Sequence, residues 1–338
     1  MRIWMIVLFA VGIGTAGGLH WWRTRAPSVE TDVAESPEVT DDAMDEADVA
    51  PAPIEMEDEP AALVEESATA AMAAPPEVEV PGGATSETEA EARRNAAALV
   101  EQASKCERPV EQARLLTKAL KSGALDRAAD EKSYQALLDA NRRGFLNPRV
   151  DDLCMRTEVL KGDSLWKICK RVEKEAGVRV APGLIRAVNA LASDAIYPGA
   201  KLKVPNVAVS ILVEKHEFRL SVFVGDVLLK RYAVGLGANN RTPEGEFAIA
   251  TRLKDPSWNK PGVGPIPPGD PENVLGTRWL GFAAKDGFPE AATFGIHGTR
   301  DDASIGTESS NGCVRMHNAD VEELFEWIAE GVGVQIRP

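Results

Sequence analysis

The side chains with the most chemical capacity lie close together near the C-terminus. His297 stands in "GIHGT" (295–299), and Cys313 and His317 stand in "SSNGCVRMHN" (309–318), in a chain with only four cysteines and four histidines. Their types allow three kinds of chemistry. Cysteine and histidine ligate zinc, but three ligands at this loose spacing, with no second cysteine pair nearby, fit no common zinc pattern. A buried cysteine packed beside two histidines can also do nothing chemical. Nucleophilic catalysis asks for more parts: a thiol, a base that takes its proton, and donors for the oxyanion of a tetrahedral intermediate. Here Cys313 follows Gly312, which lets backbone amides approach a carbonyl, and Arg315 is a cation two residues on. His297 adjoins Gly298, and the spacing of sixteen residues leaves a loop that can fold back to bring the imidazole to the sulfur.

The elements that must position these residues are mostly strands. "VSILVEK" and "FRLSVFV" alternate apolar and polar residues, and Gly225-Asp226 joins the second to "VLLKRYAVGLG" as a two-residue hairpin turn. "TPEGEFAIATR" (242–252) predicts another turn and strand, and a Pro/Gly-rich loop over 255–271 precedes "RWLGFAA". "IHGT" places His297 just after a short apolar strand. In the last stretch Val321, Leu324, Phe325 and Ile328 share one helical face, with Asn318 as cap, Gly331 as stop and "VGVQI" as a final strand.

This C-terminal third resembles the L,D-transpeptidase catalytic domain, often called the YkuD domain, over about Val209 to Ile336. The resemblance rests on "TPEGEF", "IHGT", "SIG" at 304–306 and the long run "SNGCVRMHNADV". It implies Cys313 as nucleophile, His297 as general base, the Gly298 carbonyl as orienter of the imidazole, and the amides of Gly312 and Cys313 as oxyanion hole. Many members carry His where this chain has Asn311. Arg315, Ser310 and Asn311 are the candidate substrate-binding residues: Arg315 could depress the thiol pKa, hold a substrate carboxylate or serve as a structural ion-pair partner. Ser310 could hydrogen-bond the cysteine loop or simply make the turn, and His317 could orient the entrance to the terminal helix. The implied reaction is acyl transfer from the third residue of a peptidoglycan stem, with loss of the terminal D-alanine and formation of a 3→3 cross-link, with no cofactor and no metal. Water as acceptor would make the protein a carboxypeptidase, and a lipoprotein lysine would make it an anchoring enzyme. The rival is an inactive peptidoglycan-binding scaffold. Carbapenems are the covalent inhibitors that the resemblance implies.

Upstream, "VLKGDSLWKI", "VNAL" and "IYPGAKLKVP" predict strand, helix, helix, strand, and resemble a small βααβ LysM domain over 155–206. The family binds N-acetylglucosamine-containing glycans such as peptidoglycan. By position the resemblance implicates Gly162, Asp163, Ser164 and Leu165 on one side of the groove, and Ile196, Tyr197 and Pro198 on the other. Asp163 and Ser164 could equally cap the following helix, and Trp166 could stack on a sugar or simply pack. The catalytic domain then occupies 208–338.

Residues 87–150, rich in Ala, Leu, Glu, Arg and Lys, predict two or three helices acting as a spacer, with Gly123 and Gly144 as stops. Between Pro27 and Ala92 stand twenty acidic residues and no Lys or Arg, so 26–86 reads as a disordered acidic linker. The remainder of the chain is nearly neutral, and no basic stripe points to nucleic acid. At the N-terminus, Ile3 to Leu19 is an apolar or small run followed by "HWWRTR". It predicts a membrane anchor over 1–25 rather than a cleaved signal, although Arg23 and Arg25 oppose that orientation. The expected location is the cell envelope, with the catalytic domain extracytoplasmic (periplasmic). Cys169 falls on an apolar helix face, whereas Cys106 and Cys154 could pair in an oxidising envelope.

Overall fold

The structure is a computed structural model, described here for residues 84–338. The apolar run and nearly all of the acidic stretch lie outside the described residues. Among the described residues, no helix is long and apolar enough to cross a membrane.

Three helices come first: α1 (Ala84–Ser104), α2 (Pro109–Lys121) and α3 (Arg127–Arg143). The first begins inside the stretch read as linker. Pro109 opens α2, where its missing N–H costs nothing, and Asp126 caps α3 by accepting from the Ala129 amide at 2.8 Å. Next come β1 (Cys154–Glu158), α4 (Leu165–Ala176), α5 (Pro182–Asn189) and β2 (Lys201–Pro205), with β1 and β2 antiparallel. Ser164 caps α4 through the Lys167 amide, whereas Asp163 does not cap it. Instead Asp163 accepts from the Leu160 amide and pairs with Arg171. Cys169 is buried with Ile168 and Val172 on the inner face of α4.

The remaining chain forms β3 (Val209–Glu214), β4 (Arg219–Val224), β5 (Val227–Ala233), β6 (Leu236–Gly237), β7 (Gly245–Lys254), β8 (Trp258–Lys260) and β9 (Gly264–Ile266). It continues as β10 (Arg278–Phe282), β11 (Gly295–Thr299), β12 (Glu308–Ser310), β13 (Val314–His317), α6 (Asn318–Trp327) and β14 (Gly333–Arg337). Eight strands make one sheet in the order β13-β11-β10-β7-β14-β3-β4-β5. Most pairs are antiparallel, but β11 with β13 and β14 with β3 are parallel. The last helix, α6, connects β13 to β14, carrying the chain from one end of the sheet to its middle.

The expected alternation along β3 and β4 is not how these strands are buried. Every residue of β4 after Arg219 is buried, because both faces of this part of the sheet are covered. Ile211, Val213, Leu220, Val222 and Val224 join the main core, while Leu212, Phe223 and Leu228 pack under Ala103, Leu116, Leu120 and Leu137 of the helices. The helical segment is therefore not a spacer. It also satisfies the free edge of β5: Thr117 Oγ1 accepts from the Leu228 amide, Asn141 Nδ2 donates to the Leu228 and Leu229 carbonyls, and Tyr134 Oη accepts from the Arg231 amide. An edge strand left open would offer those groups to another chain.

The βααβ unit shares one continuous core with the sheet. Helix α5 lies on α6 so closely that a side chain at Gly183 would overlap the Glu326 backbone, and Arg186 pairs with Glu326 at 2.5 Å. Two further expectations fail. Cys106 and Cys154 are free thiols. Helix α6 stops at Trp327 rather than at Gly331, and its cap position is His317, which makes no side-chain cap, with Asn318 the first helical residue.

Candidate active site

Parallel pairing of β11 with β13 brings the two key segments together. His297 stands opposite Arg315 in that register, and Cys313 immediately precedes β13. His297 lies within β11, not after it, because the strand runs on through Gly298 to Thr299. Both functional side chains are deeply buried, His297 at 1% exposure and Cys313 at 3%.

The cysteine turn is held from within. Ser310 Oγ donates to the Cys313 carbonyl at 2.8 Å and accepts from the Gly312 amide at 3.1 Å, closing 310–313 into a tight loop. Gly312 has φ +134°, a conformation that L side chains rarely adopt, and a methyl there would overlap the Phe294 ring. Gly237 of β6 abuts Gly312 from the other side, and its amide donates to the buried Thr242 hydroxyl at 2.7 Å. The "TPEGEF" segment thus supports the Cys313 turn. Ser310 makes the turn, and the Gly312 amide expected to face an oxyanion already has the Ser310 hydroxyl as partner. Asn311 is exposed at the tip.

Around the imidazole, His297 Nδ1 lies 2.5 Å from the Gly298 carbonyl, which can only accept, so Nδ1 carries the proton. Trp279, its cross-strand neighbour, stacks on the ring with centroids 5.8 Å apart. Burial pushes the imidazole pKa down to about 4; Arg315 lowers it further, while the Gly298 and Leu275 carbonyls oppose the shift. Burial likewise pushes the Cys313 thiol up to about 11, against a backbone hydrogen bond with Gly295 and the Arg315 charge, both of which lower it. Both groups are therefore uncharged at neutral pH. The arrangement suits a neutral thiol that gives up its proton as it attacks, not a standing thiolate.

Arg315 is the cation nearest this chemistry. Its Nε is buried without a hydrogen-bond partner, and among the described residues its guanidinium forms no ion pair with a carboxylate. Of the roles open to it, structural ion pairing is not what it does here. Residue His317 is turned away, with Nδ1 2.8 Å from exposed Asp302. Among the described residues no group of three His, Cys, Asp or Glu side chains is placed to hold a metal.

A cover lies over Cys313, built from Trp258, Leu275 and Trp279. Trp279 comes from β10, Trp258 from the Pro/Gly-rich segment and Leu275 from just beyond it; within that segment β8 and β9 pair, and buried Asn273, just after it, donates to the Pro256, Ile266 and Pro267 carbonyls. Arg300, just after β11, pins the segment through the Gly269 and Asp270 carbonyls. None of Leu275, Trp279, Gly237 or Thr242 was singled out as a site residue from sequence. Gly237 and Trp279 stand on strands and Leu275 and Thr242 in loops, and what they contact is set only once the strands are paired.

The candidate glycan groove is assembled at one end of the βααβ unit. Val159 exchanges backbone bonds with Gly199 and Ala200, so the 160–164 turn and the 196–199 turn emerge side by side. Gly162, Ser164, Tyr197 and Pro198 are exposed there, Tyr197 at 75%, and Asp163 and Ile196 are half-buried. Leu165 faces the core instead. Trp166 is exposed with the Lys170 ammonium over its ring.

Comparison with known proteins adds the following. A family model described as the L,D-transpeptidase catalytic domain, YkuD, matches residues 208–336, and the LysM domain model matches 158–205. A Bacillus subtilis protein named as an L,D-transpeptidase, YqjB, is 39% identical over 127 residues, covering 37% of this chain and 69% of that one. A Bacillus licheniformis protein named as the L,D-transpeptidase YkuD is 30% identical over 184 residues, covering 54% of this chain and 98% of its own length. Among solved structures, L,D-transpeptidase 3 of Mycobacterium tuberculosis, in complex with a faropenem-derived adduct, matches at 14% identity and TM-score 0.31. That match covers 41% of this chain and 64% of that one, just under two thirds of its length.

Proposed function

This chain belongs to the L,D-transpeptidase family, with a YkuD-type catalytic domain preceded by a LysM domain, and from that premise we propose that it cross-links peptidoglycan through an acyl-enzyme on Cys313. The observation that carries this reading is the buried His297, with its Nδ1 proton committed to the Gly298 carbonyl, on the strand paired with the one that Cys313 precedes. Nε2 is then the basic nitrogen of the neutral ring.

Cys313 Sγ attacks the carbonyl of the third stem residue, a diaminopimelate in the usual stem, as its proton passes to His297 Nε2. The Gly298 and Leu275 carbonyls favour the imidazolium that results. Backbone amides of the nucleophile turn hold the oxyanion, the Gly312 amide by leaving or sharing its bond to Ser310 Oγ. Collapse breaks the peptide bond, and the imidazolium gives its proton to the departing D-alanine amine. An amine of a second stem then attacks the thioester and returns the thiol, leaving a 3→3 link. Arg315, unpaired among the described residues, is the group suited to a substrate carboxylate. The same thioester could pass to water or to a lipoprotein lysine, and the burial of the thiol favours acceptors that exclude water as they dock.

The LysM unit would hold glycan strands, with Tyr197 as the exposed aromatic. The N-terminal apolar run would tether the chain, the acidic stretch would give it reach, and the catalytic domain would lie outside the cytoplasmic membrane in the cell envelope. Carbapenems would acylate the same sulfur. Intact-mass spectrometry of the full chain with a carbapenem tests the nucleophile: the account expects one adduct that Cys313→Ala abolishes. An unmodified wild type, or an adduct that survives the substitution, counts against it.

A further inference from the structure

Asn318 is the first residue of α6, one past the cap position held by His317, and its carboxamide does not serve the helix. Its amide is spent sideways. Oδ1 accepts from the Thr277 amide at 3.1 Å and faces the Thr277 hydroxyl at 3.4 Å, and Nδ2 donates to the Thr299 carbonyl at 2.9 Å. Thr277 lies two residues past Leu275 in the covering segment, and Thr299 lies two residues past His297 on β11. The Gly298 carbonyl holds the imidazole through Nδ1, and the Leu275 backbone is the other backbone group that raises the imidazole pKa.

Glycines surround the same amide. A side chain at Gly276 or at Gly298 would run into Asn318 Oδ1, and Gly276 would also strike the Gly298 backbone. The covering segment and the catalytic strand therefore meet backbone to backbone, with one carboxamide stitched between them.

We infer that Asn318 is a positioning residue for His297: it locks the segment carrying Leu275 to the strand carrying Gly298 and so fixes the frame in which the imidazole sits. This rests on the proposed role of His297 as base. A helix cap would bind only amides of its own first turn; these bonds reach 41 and 19 residues back along the chain. Reacting groups displaced by about 1 Å lose on the order of 100-fold in rate, and Asn318 extends the tie between β10 and β11, whose ladder pairs Trp279 with His297, past its end to Thr277 and Thr299.

The test compares the full chain with Asn318→Ala and Asn318→Asp, using a tetrapeptide-stem disaccharide as acyl donor. Asn318→Asp keeps the size and the acceptor for Thr277 but turns an oxygen toward the Thr299 carbonyl. Both variants are expected to lose about 100-fold in kcat, with KM within about threefold of wild type. They are also expected to lose the downfield proton resonance of the His297 Nδ1–H bonded to Gly298, identified by its absence from His297→Gln. A cap or a purely structural contact would lower thermal stability and leave both readouts in place. A kcat within about threefold of wild type, or a retained resonance, overturns the inference. If Asn318→Ala does not fold, Asn318→Asp decides alone. If wild type does not turn over, the proposed function fails, and the resonance still tests the positioning.

Discussion

Raising the pH on the free protein should not reveal a ready-made thiolate. Cys313 is pushed up to about 11 and His297 down to about 4, both chiefly by burial. At about 1.36 kcal/mol per pH unit, that gap sets transfer of the proton from sulfur to imidazole at about 10 kcal/mol before the two charges attract. At an effective dielectric near 20 even two charges in contact at about 3 Å recover only about 6 kcal/mol. The neutral pair therefore stays favoured by several kcal/mol. The assay is the ultraviolet thiolate absorbance of wild type minus that of Cys313→Ser. The other cysteines cancel in the difference, and Cys154 and Cys169 are themselves raised to about 12 by burial. The difference signal is expected to stay flat from about pH 5 to about pH 9 and to climb toward about 11. Arg315→Met should move that climb upward, since the guanidinium is one of the groups lowering the thiol pKa. A thiolate signal already constant at about pH 6 would refute the neutral-pair argument, and with it the concerted proton transfer.

Acid should weaken the fold through the same histidine: between its ordinary 6.5 and about 4 the unfolded chain binds a proton that folded His297 refuses. Stability is lost as pH falls through that window, by about 3 kcal/mol. Denaturant titrations at pH 7 and pH 4 should show this loss shrinking in His297→Gln, and parallel losses would contradict it. Gly312→Ala forces a side chain onto a φ of +134° and into the Phe294 ring, so acylation should drop by about 100-fold or more in stopped assays. Activity near wild type would mean that the turn is softer than its packing implies. Asn141→Ala strands the buried Leu228 and Leu229 carbonyls on the β5 edge and should cost about 2 kcal/mol by denaturant titration. A loss below about 0.5 kcal/mol would show that the helices do not seal that edge.

The strands, the βααβ unit and the terminal helix were legible because their signals are local: hairpin glycines, helix caps and apolar periodicity over ten or fewer residues. Cys313 and His297 were legible for a related reason, since each sits in a short run of small residues that only close backbone approach requires. What surrounds them was not. The alternation along β3 and β4 suggested one wet face, but Leu212 and Phe223 are covered by helices that come far earlier in the chain, through Ala103, Leu116, Leu120 and Leu137. Asn318 looked like a cap because the sequence shows which helix it begins and not which distant strand and loop lie beside it. The reading of Ser310 as bonding the cysteine loop holds, whereas Gly312 was read as an oxyanion donor and its amide is bonded to the Ser310 hydroxyl, a partner that emerges only when the turn closes. Such cross-chain satisfaction of polar groups is set by tertiary packing, which periodicity does not encode.

The central claim is that Cys313 carries the acyl group, and the most direct measurement is intact-mass spectrometry of the full chain incubated with a tetrapeptide-stem disaccharide, beside Cys313→Ala. The account predicts a wild-type adduct equal to the donor less one D-alanine, with dimeric product accumulating in step and neither species appearing with Cys313→Ala. Glycan still bound by a folded wild type, with no adduct and no product, would contradict it and leave a peptidoglycan-binding scaffold in its place.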